Sequence, residues 1–145
     1  MENLKELRIK HQERISSLAT DLEKLKKILA VGNFIFDEKE VEQVCEFYKT
    51  NFKNPEKLGL SLSQLKSLFF AYCSNAFISS NGGELILDTN KRSINYGETI
   101  IIKYGVENYP WAAISIDAWI ERIETGRLSK KLSETILRNL KDKSE

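Results

Sequence analysis

Leucine and isoleucine recur through the N-terminal stretch at steps of three and four: Leu4, Leu7, Ile15, Leu18, Leu22, Leu25 and Leu29, with His11 in the one missing slot. That spacing holds an apolar stripe on one side of an α-helix. It makes a coiled-coil-like seam with one stutter. The residues between are good helix formers. A helix over residues 3–30 is roughly 42 Å long, at about 1.5 Å per residue. A compact chain of 145 residues has a radius of gyration of roughly 14–15 Å and a full diameter of about 38 Å. The helix is therefore as long as the domain that carries it. It must lie across the globule, project from it, or pair with a second copy as a homodimer through residues 4–29.

The rest of the chain reads as an α+β domain. Gly32 and Asn33 tolerate the left-handed conformation and end the first helix. Asp37 caps a second helix, with Glu40 completing a capping-box-like pair. Its stripe is Val41, Val44, Cys45, Tyr48 and Phe52. Asn54, Pro55 and Gly59 mark a loop. Ser61 with Gln64, flanked by Leu60 and Leu65, combines a capping box with a hydrophobic staple. The helix that follows carries Leu65, Leu68, Phe69, Tyr72, Ala76 and Phe77, widened by Phe70 and Cys73. So broad an apolar surface belongs to the central helix of a fold. After Asn81-Gly82-Gly83 the period changes from helical to alternating, predicting strands over 84–88 and 98–104 joined by the polar loop 89–97. Residues 111–116 read either as a third strand or as the lead into a helix. That helix is capped by Ser115 or Asp117, carries Trp119, Ile120 and Ile123, and ends at Gly126. A last helix starts near Ser129 and uses Leu132, Ile136, Leu137 and Leu140, with Lys141 and Lys143 at its end. The expectation is one domain over 1–145. It has a helical N-terminal part, an antiparallel sheet of two or three strands, and two C-terminal helices.

Composition narrows the chemistry. The net charge is +1, without the basic stripe of a nucleic-acid binder. Residues 81–126 carry seven acidic and four basic side chains, a weak negative balance compatible with a basic target. Cys45 and Cys73 sit among apolar neighbours and read as buried thiols, although a disulfide between them is an alternative. No CxxC or Cys/His spacing points to zinc, and no cofactor is expected. Glu2 and Glu6 stand where a signal peptide would be apolar, and no run is long enough to span a membrane. The expected compartment is the cytoplasm.

His11, the single histidine, occupies a seam slot and reads as a structural helix residue, not a general base. Glu84 and Asp88 share a strand face, and Glu98, Glu121 and Glu124 follow. With 21 acidic residues, such near-pairs arise by chance, and catalysis needs two carboxylates in differently tuned pockets. Gly82-Gly83 precedes a strand, the reverse of the order that aims backbone N–H groups at phosphate. The aromatic residues Tyr96, Tyr104, Tyr109, Trp111 and Trp119 are more suggestive, because tyrosine, tryptophan and arginine anchor protein interfaces. Trp119 falls in a helix stripe and reads as core. The candidate partner-binding residues are Tyr96, Tyr109 and Trp111, with Lys91 and Arg92 as a charged rim and Glu84 and Asp88 on the adjoining strand. No enzymatic activity is expected.

The run Gly82-Gly83-Glu84-Leu85-Ile86-Leu87-Asp88, with Asn95-Tyr96-Gly97, Tyr109-Pro110-Trp111 and Ala118-Trp119-Ile120-Glu121-Arg122-Ile123-Glu124-Thr125-Gly126, resembles small bacterial proteins. Some of these look like cognate immunity proteins of polymorphic or contact-dependent toxins. The similarity covers about residues 65–126, outside the N-terminal helix. The resemblance implies a protein that binds its toxin stoichiometrically and blocks it, with neither nucleic acid nor membrane as partner. The alternative is a homo-oligomeric adaptor or effector chaperone built on the N-terminal helix.

Overall fold

The computed structural model describes residues 3–105 and 113–138. In chain order its elements are α1 (Leu4–Leu29), α2 (Glu38–Asn51), a 3₁₀ turn (Pro55–Leu58), α3 (Leu62–Asn81), β1 (Glu84–Leu87), β2 (Thr99–Ile102), α4 (Ile116–Glu124) and α5 (Leu132–Ile136). Helices and a small antiparallel sheet occupy separate stretches of chain, which makes the fold α+β.

Everything is arranged around α3. Its start is set locally: Ser61 Oγ accepts the Gln64 N–H at 3.1 Å, and Gln64 Oε1 accepts the Ser61 N–H at 2.8 Å. Leu60 and Leu65 are both buried at the two staple positions. Beyond the first turn the helix is buried on nearly every side, from Leu65 to Phe77. A helix apolar all round has neighbours all round, and α1, α2, α4 and α5 each pack against it.

Of the three courses open to the long helix, α1 takes the first. It lies across the domain on α3 and β1. Leu25 is buried, and Leu18, Leu22 and Leu29 pack into the same core. The C-terminal half of the seam thus packs within the chain itself, while Leu4, Leu7 and Ile15 are half-buried. The helix stops earlier than Gly32-Asn33. Ala30 is the left-handed residue (φ 56°), with its N–H on Lys27 O and the Val31 N–H on Lys26 O. These two bonds form a Schellman motif.

The start of α2 departs from the expected capping box in a similar way. Asp37 accepts the Glu40 N–H at 2.8 Å. The Glu40 carboxylate, however, reaches past the cap to accept the N–H groups of Ile35 (3.0 Å) and Phe36 (2.8 Å). Tyr72 also donates its hydroxyl to Glu40 at 2.9 Å. Held this way, Phe36 adopts φ 55°, a strained value for an aromatic residue. Its ring packs on Tyr72 with centroids 5.4 Å apart, while Ile35 turns outward and is 69% exposed.

β1 and β2 pair antiparallel in the register Glu84↔Ile102 through Leu87↔Thr99. Both strands are shorter than expected, because Lys103 turns left-handed (φ 56°) and ends β2. Among the described residues Ile114 makes an antiparallel bridge to Ile101 on the far side of β2. Residues 113–115 thus include a rung of a third strand and lead into α4. Residues 111 and 112 lie outside the described residues. Ser115, and not Asp117, caps α4: its Oγ accepts the Ala118 N–H at 3.1 Å. α5 begins at Leu132, later than Ser129, because a tertiary contact sets its start. The Ser133 N–H is capped by Glu42 of α2 at 2.8 Å. Asn81 at the end of α3 donates to Ile136 O at 2.7 Å and ties α5 down. Leu140, Lys141 and Lys143 fall outside the described residues.

Candidate interaction surface

The loop between β1 and β2 is polar in sequence and closely tied in structure. The Asp88 N–H bonds to Glu98 O at 2.9 Å, and the Gly97 N–H to Asp88 O at 2.8 Å, so the ladder continues past the strand ends. Inside the loop, the Ser93 N–H reaches Asn90 O and the Tyr96 N–H reaches Ser93 O. Side chains add three more bonds. Asp88 Oδ1 accepts the Asn90 N–H, Asn90 Oδ1 the Arg92 N–H, and Ser93 Oγ the Asn95 N–H, at 3.0–3.1 Å. These are the local bonds by which asparagine, aspartate and serine build turns. Gly97 is needed at its place. Its φ is 83°, and a Cβ would sit 3.2 Å from Leu7 of α1.

At the tip of this locked loop Ile94 is 95% exposed. Two grooves meet there. One, about 500 Å³, runs from Ile94 past Trp119 to the α4–α5 connection and is lined by Arg122, Arg127, Lys130 and Arg138. The other, about 450 Å³, shares Ile94, Arg122 and Arg127 and adds Glu98, Asp117 and Glu121.

The sequence-based candidates are distributed unevenly around this surface. Lys91 and Arg92 are exposed on the loop, and Tyr96 is half-buried. Asp88 is buried and engaged in the turn, so it is a structural residue. Glu84 is exposed on β1 and faces Lys103 at 3.5 Å. Tyr109 and Trp111 lie outside the described residues. Trp119 is buried in the core, as its helix stripe implied. Ile94 and the arginines of α4 and the following turn had not been singled out. The signal for Ile94 was present: it is the one aliphatic residue in loop 89–97.

A polar cleft of about 840 Å³ lies between α1, the start of α3 and the hairpin, and shares Glu98 and Asp117 with the second groove. Glu13, Glu98 and Asp117 are its acids, and the last two are engaged by other side chains. Asp117 takes both guanidinium nitrogens of Arg14, at 2.9 and 3.0 Å. Arg14 also lies over the Phe70 ring at 3.7 Å. Glu98 accepts the hydroxyl of Ser115. Glu121 pairs with Arg127 at 2.9 Å outside the cleft. Glu124 accepts the Tyr48 hydroxyl at 2.6 Å with Lys66 at 3.6 Å. The Tyr48 and Tyr72 phenols are pushed well above their ordinary range, by burial first and then by their glutamate acceptors. Both cysteines are free and buried. Burial pushes the Cys45 thiol up to about 11 and raises Cys73 as well. Neither is a thiolate nucleophile at neutral pH. Among the described residues no His, Cys, Asp and Glu cluster could hold a metal ion, and no helix is long and apolar enough to cross a membrane.

His11 is a latch. Its Nδ1 meets Thr99 Oγ1 at 2.8 Å, joining α1 to β2 across 88 residues of sequence. Burial, and secondarily the Arg14 charge, lower its pKa below the ordinary 6.5. The fold therefore favours the neutral ring. The unfolded chain binds the extra proton between the two pKa values, so this contribution is present above pH 6.5 and is lost as pH falls toward the folded pKa. Thermal midpoints of the wild type and His11→Gln, compared over roughly pH 5–7.5, are expected to converge on acidification. Parallel curves would remove His11 as the acid-sensitive contact.

No family model, curated protein or solved structure matches this chain.

Proposed function

We propose that the chain is a stoichiometric inhibitor of a protein partner, acting as an immunity protein does on its cognate bacterial toxin. The observation that carries this reading is Ile94, 95% exposed at the tip of a loop that its own hydrogen bonds hold rigid. A lone exposed apolar residue is ordinary. An isoleucine held on a pre-ordered turn where two grooves meet is different, because little conformational entropy is left to lose on binding. Interfaces are dominated by a few such anchors ringed by polar and charged side chains. Arg122 and Arg127 line both grooves with Ile94, and Lys91 and Arg92 are exposed on the same loop. The mechanism needs no chemistry from this chain. Occupying the partner's active site or an adjoining surface is sufficient.

The test is co-expression with the toxin domain encoded beside this chain's gene. Wild type is expected to rescue the cells and to purify with the toxin as a one-to-one complex. Ile94→Asp is expected to weaken the complex by about 2 kcal/mol or more, roughly 30-fold in Kd. Its melting temperature should be unchanged, since the side chain touches little of its own fold. A wild-type chain that neither binds nor rescues rejects the reading.

A further inference from the structure

We infer that the groove between Ile94 and the α4–α5 connection takes a short acidic segment of the partner protein, with an apolar side chain set beside Ile94. This rests on the binding role proposed above and specifies the chemistry of what is bound.

Summed charge over residues 81–126 points the other way, but of the four groove cations only Arg122 lies in that stretch, and Arg127, Lys130 and Arg138 follow it. Among the described residues the acids of this stretch are engaged one by one: Glu84 by Lys103, Asp88 by the Asn90 N–H, Glu98 by Ser115, Asp117 by Arg14, Glu121 by Arg127, Glu124 by Tyr48 and Lys66. The cations of the groove are not matched in the same way. Among the described residues Arg122, Lys130 and Arg138 have no ion-pair partner within 4.0 Å. With Arg127 they line one groove and are all exposed. Guanidinium groups bind carboxylates in a two-pronged geometry, which gives register as well as attraction.

The same surface disfavours a nucleic acid. Among the described residues the aromatic ring in the groove wall is Trp119, which is only 5% exposed and offers no face for a base to stack on. Ile94 has no use on a phosphate backbone. A protein segment can place carboxylates at one end and an apolar contact at the other.

The full chain, labelled with ¹⁵N, is titrated with a synthetic peptide of repeated Glu-Glu-Leu. The same peptide with lysine in place of glutamate and an oligouridine of equal charge are titrated in parallel. Saturable amide shifts are expected at Ile94, Ala118, Arg122, Arg127 and Lys130 with the acidic peptide alone. They should weaken several-fold when salt rises from about 50 to about 200 mM. The exposed double substitution Arg122→Glu with Lys130→Glu should cost about ten-fold or more in affinity. Absence of shifts at about millimolar peptide, shifts elsewhere on the chain, or an equal response to lysine peptide or oligouridine would each overturn the assignment. Capture of the toxin separates the two levels. If wild type and the double variant bind it equally well, the acidic-segment assignment falls while the inhibitor reading stands. If wild type binds no toxin but the acidic peptide fills the groove, the inhibitor reading falls instead.

Discussion

Phe77→Ala is expected to destabilise the fold by about 3–5 kcal/mol. Phe77 is fully buried on α3, at the junction of three elements. Its ring meets Tyr104, just after β2, edge-on at 5.3 Å, and lies 6.1 Å from the Trp119 ring of α4. Truncation removes the transfer free energy of the ring and leaves a cavity that three elements would have to close. The surrounding helix cannot collapse freely, because Asn81 fixes its end to α5 through Ile136 O and Gly82-Gly83 fixes the turn into β1. A domain of this kind is stable by about 5–15 kcal/mol in all. The loss therefore moves the urea midpoint by a large fraction of its value. Ile35→Ala, at a site 69% exposed, serves as the control and should shift it little. A Phe77→Ala change of less than about 1 kcal/mol would show that helix, hairpin and α4 do not share one packed core.

Gly83→Ala is the second large effect, and its cause is backbone geometry. Gly83 has φ 110°, where an L side chain is strained whatever its surroundings. Here the surroundings add a clash. The new Cβ would stand 2.8 Å from Ile101 Cγ2 and 3.0 Å from the Ile102 carbonyl oxygen. Ile101 is fully buried and pairs with Leu85 on one side and Ile114 on the other, so it has nowhere to move. Strain of about 1–3 kcal/mol and overpacking of about 1–3 kcal/mol act together. The expected loss is of order 3 kcal/mol, with hydrogen exchange accelerated first in β1 and β2. Gly126→Ala isolates the strain alone, since its φ is 69° and a Cβ there meets nothing within 4 Å. Equal losses at the two glycines would refute the clash at Gly83.

Much of the fold was legible because its signals are short-ranged. Ser61, Gln64, Leu60 and Leu65 lie within one turn of one another, and the hydrogen bonds between them form wherever that turn sits. The apolar width of α3 announced a central helix because burial on every side demands apolar residues on every side. Loop 89–97 is built by asparagine, aspartate and serine closing bonds to residues two or three positions away.

At several places a distant partner overrides a local rule or chooses between two local options. Glu40 could have closed the Asp37 capping box, yet it serves Ile35, Phe36 and Tyr72. Asp37 still caps, so the helix starts where expected while the loop before it is strained. Asp117 could have capped α4, but Arg14, 103 residues earlier, holds both its oxygens. The start of α5 answers to Glu42, 91 residues away. Asp88 shared a strand face with Glu84 and looked available for a partner, but the turn takes it inward.

By itself the sequence determined the helical and alternating periods, the capped starts of α2 and α3, the glycine stop of α3 and the identity of the core. All of these depend on neighbours within a turn or two, whose distances are set by covalent geometry. Only the tertiary structure decided where α1 lies, which carboxylates are engaged, and that the exposed cations of α4, α5 and their connection share a groove with Ile94. Those facts depend on which remote side chains packing brings within a few ångströms, and the strength of an ion pair or a clash falls off over that same short distance. Summed charge along a stretch of chain carries no such information: Arg122 belongs to the acid-rich stretch 81–126, Arg127, Lys130 and Arg138 follow it, and only folding brings the four to one groove.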